Sequence, residues 1–254
     1  MKRLPIMLLI LAAAACQAPP GRSPATAAPI TTGRDLISAM HARYADTWYR
    51  QLRVRQEVIF HDEAGAPTRR EVWTELIELP GKVRSIIGDE GDDDGELYVD
   101  GAFHIIRDGR VVQRAPQPHP VLLIGYDVYC QDPAETARAL ETAGFDLSKL
   151  HRAEYNGRPV YIVGADEGDE ATSQFWIDAE RLLCLRIIDR RPSGAVIDIQ
   201  FTEYEPFAGA WLCTELIFHR NGTLLIYEQD LEHSIPESID PQTFTPPPAA
   251  EEES

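Results

Sequence analysis

Asp89, Glu90, Asp92, Asp93, Asp94 and Glu96 bring six carboxylates into one short stretch. Oxygens at alternating positions can chelate a hard cation such as calcium. In an EF-hand register starting at Glu90, however, the closing acid would fall on residue 101, and that residue is Gly101. A solvated turn is the expectation. The seven histidines, His41, His61, His104, His119, His151, His219 and His233, are scattered, with no two at a ligand spacing. Each reads as an ordinary surface or core residue. Cys130, Cys184 and Cys213 make no CxxC or Cys/His pattern. No G-x-S-x-G, H-E-x-x-H, P-loop or strand-to-helix G-x-G-x-x-G occurs. The expectation is a protein that is not an enzyme and that uses no metal and no cofactor.

Cys16 stands in a different setting. Met1-Lys2-Arg3 carries positive charge, Leu4 to Ala15 is apolar, and Ala13, Ala14 and Ala15 leave room for a peptidase. A thiol directly behind that point can receive diacylglycerol. The arrangement resembles the bacterial lipobox, with Ala13 where leucine is usual. Residues 1–15 therefore read as a signal peptide and Cys16 as the lipidation site. The apolar run is shorter than the roughly 20 residues a spanning helix needs, so the mature chain is expected to be anchored by its acyl chains, which suffice for stable attachment. Gln17, where an Asp would favour inner-membrane retention, points to the periplasmic face of the outer membrane within the cell envelope.

Residues 16–33 are rich in Pro, Ala, Ser and Thr. Such a composition buries too little apolar surface to order itself, and the segment reads as a lipidated flexible tether. Residues 247–254, ending in Glu251, Glu252, Glu253 and Ser254, read as a disordered acidic tail. Between them, residues 34–246 are one domain's worth of chain. The formal net charge of −17 argues against nucleic acid as a partner and against direct adsorption to anionic lipid.

These groups must be positioned by two kinds of element. From Arg34 to Trp48, Leu36, Ile37, Met40, Tyr44 and Trp48 share one stripe at helical spacing. From Leu52 the period becomes strand-like: Val54 to Phe60, Glu71 to Leu79, Lys82 to Ile87, Glu96 to Val99 and Ala102 to Arg107, separated by turn signals such as Asp100-Gly101 and Asp108-Gly109. Pro116, Pro118 and Pro120 break the pattern, Val121 to Ile124 forms an apolar patch, and Asp132-Pro133-Ala134-Glu135 opens a second helix that Gly144 stops. Strands resume at Arg158 to Val163, Ser173 to Asp178, Leu182 to Asp189, Ala195 to Tyr204, Trp211 to His219 and Thr223 to Leu231, with Asn221-Gly222 the strongest hairpin signal. If these pair as a meander, Cys184 and Cys213 lie two strand spacings apart, roughly 9–10 Å, beyond what a disulfide tolerates. Buried free thiols are expected.

An amphipathic helix, a meander, a helical insert and a second meander together resemble the LolA/LolB-like family of periplasmic lipoprotein carriers, outer-membrane receptors and lipoprotein-sorting proteins. The resemblance runs from Arg34 to about Pro246 and rests on Phe175-Trp176-Ile177-Asp178-Ala179-Glu180-Arg181-Leu182-Leu183, on Gly209-Ala210-Trp211-Leu212, and on Ile235-Pro236 to Phe244. It implies an α+β, mainly β fold: a highly curved antiparallel sheet of about a dozen strands, an incomplete β-barrel, with helices covering its concave side. It also implies an apolar cavity for lipid or lipoprotein acyl chains. Met40, Tyr44, Trp48, Leu122, Leu123, Ile124, Phe175, Ile197, Ile199 and Phe201 are the candidate lining residues. The alternative is a sensor or scaffold lipoprotein that binds a protein partner in the envelope, with a filled core and no lipid cargo.

Overall fold

A computed structural model describes residues 29–250. The signal peptide, Cys16 and most of the tether lie outside the described residues, as do residues 251–254.

The first helix, α1 (Gly33–Tyr44), starts where Thr32 and Asp35 cap each other: the Asp35 N–H donates to the Thr32 hydroxyl and the Thr32 N–H donates to the Asp35 carboxylate. Its stripe of Leu36, Ile37, Met40 and Tyr44 is buried. The helix ends at Tyr44, short of the expected Trp48. The chain then turns so that the Trp48 N–H still reaches Tyr44 O at 2.7 Å, and the Trp48 ring stacks on Tyr129 with centroids 3.9 Å apart.

Six strands follow: β1 (Gln51–His61), β2 (Pro67–Glu78), β3 (Lys82–Ile87), β4 (Gly95–Val99), β5 (Ala102–Arg107) and β6 (Arg110–Pro116). The insert comprises α2 (Pro120–Gly125), a 3₁₀ turn Asp127–Tyr129 and α3 (Pro133–Thr142). Asp132 caps α3 by accepting from the Ala134 and Glu135 N–H groups. The second series is β7 (Leu150–Tyr155), β8 (Arg158–Val163), β9 (Gln174–Asp178), β10 (Cys184–Arg190), β11 (Val196–Phe201), β12 (Tyr204–Phe207), β13 (Ala210–Cys213), β14 (Glu215–Arg220) and β15 (Thr223–Ser234).

Thirteen strands form one antiparallel sheet in the order β6-β5-β4-β3-β2-β1-β15-β14-β11-β10-β9-β8-β7, and β12 and β13 form a separate hairpin. The two meanders join where β1 pairs with β15. The sheet is curved and does not close, with β6 and β7 as its edges. Both edge strands are absent from the sequence expectation for a shared reason. Their alternation is mostly polar, as in Arg110 and Arg114 of β6 or His151, Arg152 and Glu154 of β7, which is how exposed edges resist unwanted pairing.

The expected strand Trp211 to His219 is broken at Thr214. Its first half pairs with β12, placing Cys213 opposite Tyr204, and its second half pairs with β11, placing Leu216 opposite Phe201. Thr214 donates its N–H to Glu203 O at 2.8 Å at the junction. That switch breaks the alternation, so that Cys213 and Leu216, three residues apart, border the same hollow. Cys130, Cys184 and Cys213 are all buried and free.

The main core packs α1, α2, the 3₁₀ turn and α3 against the concave face of β7 to β10 and their neighbours. A second core lies on the other face, where Leu76, Ile86, Leu97, Val99 and Ile106 meet Ile239 and Phe244 of the C-terminal segment. That segment continues past the expected boundary at residue 246. The Val111 N–H in β6 donates to Pro248 O at 3.0 Å, and the Ala250 N–H donates to Val111 O at 2.9 Å.

Candidate functional site

The helices fill one part of the hollow and leave the other open. A cavity of about 290 Å³ lies between the concave face of β1 to β4, β11, β14 and β15 and the segment from Pro118 through α2 to Tyr126. Its apolar walls include Val54, Ile77, Val83, Phe103, Leu216 and Phe218. The volume sits at the lower end of the roughly 300–1,000 Å³ typical of small-molecule sites, which suits one slender ligand.

Of the ten candidate lining residues, Leu122, Ile197 and Ile199 border this cavity. Leu123 borders a second cavity of about 300 Å³, beside Pro80, Gly81 and Asp127. The other six belong to the packed part of the hollow. Tyr44 donates its hydroxyl to Arg181 O at 2.6 Å, Met40 and Ile124 are almost fully buried, and Trp48 stacks on Tyr129. Phe175 meets Phe145 edge-on at 5.8 Å, and Phe201 lies against Gly125. Apolar side chains on a helix stripe or sheet face signal burial, and burial alone does not separate a filled core from a cavity wall.

The sequence expectation missed the polar floor of the cavity. Glu75 and Glu96 come from β2 and β4, with Ser85 of β3 between them in register. Gln56, Glu228 and Asp230 join them from β1 and β15, where Gln56 is paired with Asp230. Ser85 donates its hydroxyl to Glu75 Oε1 at 2.6 Å. The signal was present in the alternation: Glu75 falls between Trp73 and Ile77 on an otherwise apolar face, and Gln56 between Val54 and Val58.

Electrostatically, these acids behave as a group. Burial pushes the Glu228 carboxyl well above its usual range, and Glu75, Asp230 and Glu96 add repulsion. Burial, with Glu75 and Glu205 nearby, raises Asp230 to about 8. Glu75 is raised by burial, partly offset by the Ser85 hydroxyl, and Glu96 is raised by burial, partly offset by Arg107. Little positive charge answers them from the walls. His119, pushed down to about 4 by burial and by Arg191, is neutral, accepts the Leu122 N–H on Nδ1 at 3.3 Å, and stacks on Phe103 at 4.9 Å. Arg191 pairs with Asp189 at 3.0 Å.

The acidic run behaves as a turn. Asp92 accepts from the Asp89 N–H at 3.0 Å, Asp94 accepts from the Asp108 N–H at 2.7 Å, and Glu90 pairs with Arg53. Among the described residues no group of three or more His, Cys, Asp or Glu is placed to hold a metal ion. The thiols are held protonated by burial, Cys130 at about 11 and Cys213 at about 12. No helix among the described residues is long and apolar enough to cross a membrane.

The architecture is an open, curved antiparallel sheet with helices plugging part of its hollow and an apolar cavity in the remainder. It is the fold of the LolA superfamily. The chain is similar to an outer membrane lipoprotein-sorting protein domain from Vibrio parahaemolyticus, at 12% identity and a TM-score of 0.56, covering 84% of this chain and 96% of that one. It is similar to a LolA superfamily protein from Nitrosomonas europaea, at 12% identity and a TM-score of 0.53, covering 82% of this chain and 97% of that one. It is also similar to a DUF1329 family protein from Desulfovibrio piger, at 14% identity and a TM-score of 0.53, covering 84% and 95%. No family model and no curated protein matches the sequence.

Proposed function

We propose that this chain is an envelope lipoprotein, anchored through Cys16, that binds acyl chains, free or carried by another lipoprotein, between the sheet and α2. The observation that carries the proposal is the cavity of about 290 Å³ with its predominantly apolar walls. Each methylene moved into such a space contributes about 0.8 kcal/mol. The LolA-like fold, and the lipoprotein-sorting name borne by one structural neighbour, support the same function. The rival scaffold reading required a filled concave face, so the hollow favours a ligand. With α2 only six residues long, a shift of that segment is the simplest way to admit a chain wider than the resting cavity.

Lipidation would hold the protein on a membrane, at the periplasmic face of the outer membrane if Gln17 directs it there. A tethered protein fits a receptor or local lipid-handling role better than that of a diffusing shuttle, and its partner would be whatever delivers the acyl chains. The test is titration of the mature chain carrying Cys16→Ser, so that no attached lipid competes, with the methyl ester of a fluorescent fatty acid, whose head carries no charge. Saturable binding is expected. Its absence from a protein whose circular dichroism is that of a folded β protein would overturn the proposal.

A further inference from the structure

The cavity is apolar on its walls and acidic on its floor, and a ligand made only of acyl chain has no use for that floor. Glu75, Glu96, Glu228 and Asp230 reach it from three strands, and they do not form a metal site among the described residues. Asp230 gives the most direct indication. Its side chain is 10% exposed, it borders the cavity, and its buried Oδ2 has no hydrogen-bond partner among the described residues. His233 Nδ1 stands 3.8 Å from that oxygen, too far for a hydrogen bond, while its Nε2 is 2.9 Å from Glu205. A buried acceptor left without a donor is destabilising until something supplies one.

We infer that the cavity accepts an amphiphile whose head is a protonated amine, with the ammonium seated among Glu228, Asp230 and Glu75 and the apolar chain along Ile197, Ile199 and Leu216. An ammonium group has three donors and no acceptor, so it matches a floor made of carboxyl oxygens. A carboxylate head would meet like charge or a desolvated acid. The inference rests on the proposal that the cavity binds apolar chains, and adds what the head of the ligand must be.

Binding is coupled to proton release. Burial and mutual repulsion disfavour ionisation of Glu228 and raise Asp230 to about 8, and a neighbouring cation favours the ionised form. One carboxyl gives its proton to the buffer and keeps the electron pair as carboxylate, while the ammonium keeps all its hydrogens.

The experiment displaces Nile red, a neutral dye, from the mature Cys16→Ser chain at pH 7 with dodecylammonium, dodecanol and dodecanoate. Dodecylammonium should half-displace the dye at a concentration at least about tenfold below that of dodecanol, with dodecanoate weakest; tenfold corresponds to roughly 1.4 kcal/mol. In Glu228→Gln and Asp230→Asn chains the amine-to-alcohol ratio should fall toward one. The ratio is taken within each protein, so a change in absolute affinity cancels. Calorimetry of the unsubstituted floor in two buffers of different ionisation enthalpy should show proton release with the amine and none with the alcohol, independently of how the variants fold. Dye binding with a ratio near one, or no proton release, would overturn the inference and leave the acyl-chain proposal standing. A folded protein that binds no dye and none of the three ligands would overturn both.

Discussion

Gly125 lies face to face with Phe201: a Cβ on Gly125 would come 2.8 Å from Cε1 of that ring. Phe201 is 3% exposed, so the ring has little freedom to withdraw. Gly125→Ala is expected to destabilise the protein by about 1–3 kcal/mol through overpacking, measurable by urea denaturation. Because the same contact fixes the end of α2, ligand affinity should fall as well. An alanine variant as stable as the parent would show that α2 is not held by this contact.

Filling the cavity should separate binding from folding. Ile197 borders the space and is only half-buried, so Ile197→Trp extends into the hollow. Affinity for the uncharged ester is expected to drop at least about tenfold, roughly 1.4 kcal/mol, with little change in melting temperature. Undiminished affinity would place the ligand elsewhere.

The buried acids set the pH profile of the ligand-free protein. Burial raises Asp127 from 3.8 to about 7, although the Gly81 N–H donated to its Oδ1 at 3.1 Å works the other way. Asp230 is raised to about 8. Below the unfolded pKa both states are protonated and nothing is lost. As pH climbs toward the folded values, the unfolded chain gives up protons that the native state retains, and stability falls. Melting temperature should therefore decline from about pH 4 to pH 8. Asp127→Asn keeps the acceptor for Gly81 and removes the charge, so it should flatten part of that decline and stabilise the protein at pH 8, by on the order of 2 kcal/mol. A steeper decline in the variant would contradict the assignment.

Anchoring through Cys16 predicts that labelled palmitate is incorporated into the expressed chain and that Cys16→Ser abolishes the label. The serine variant should also leave the membrane fraction. Label retained in the variant would mean that lipid is attached elsewhere, or that the chain is held in another way.

Much of the fold was legible because most strands and helices here obey simple periods. The stripe from Leu36 to Tyr44 and the alternation through Ile197, Ile199 and Phe201 identify elements whose buried faces are continuous. Asn221-Gly222 identifies a hairpin because both residues adopt positive φ, 51° and 83°. The edges β6 and β7 were illegible for the opposite reason, since an edge strand owes its place to hydrogen bonding and shows no clean apolar face. The site was less legible than the fold. Leu122, Ile197 and Ile199 meet at the cavity, while Met40, Tyr44, Trp48 and Phe175 share their apolar character and are packed elsewhere. Which apolar residues face a space depends on how far the helices fill the curve of the sheet, a three-dimensional quantity. Glu75 and Gln56 carried a readable clue, as polar residues on apolar faces, and Asp230 became conspicuous only once β15 was paired with β1.

The two hydrogen bonds joining Val111 to Pro248 and Ala250 bear on how neighbouring molecules meet. A fibre built by adding sheet to sheet needs two adhesive rims on every subunit, and here the chain's own end occupies part of one. Sheet-to-sheet association is therefore expected to favour the uncovered rim, β7. Trimming residues 246–254 would restore the second rim and, with it, the means to polymerise.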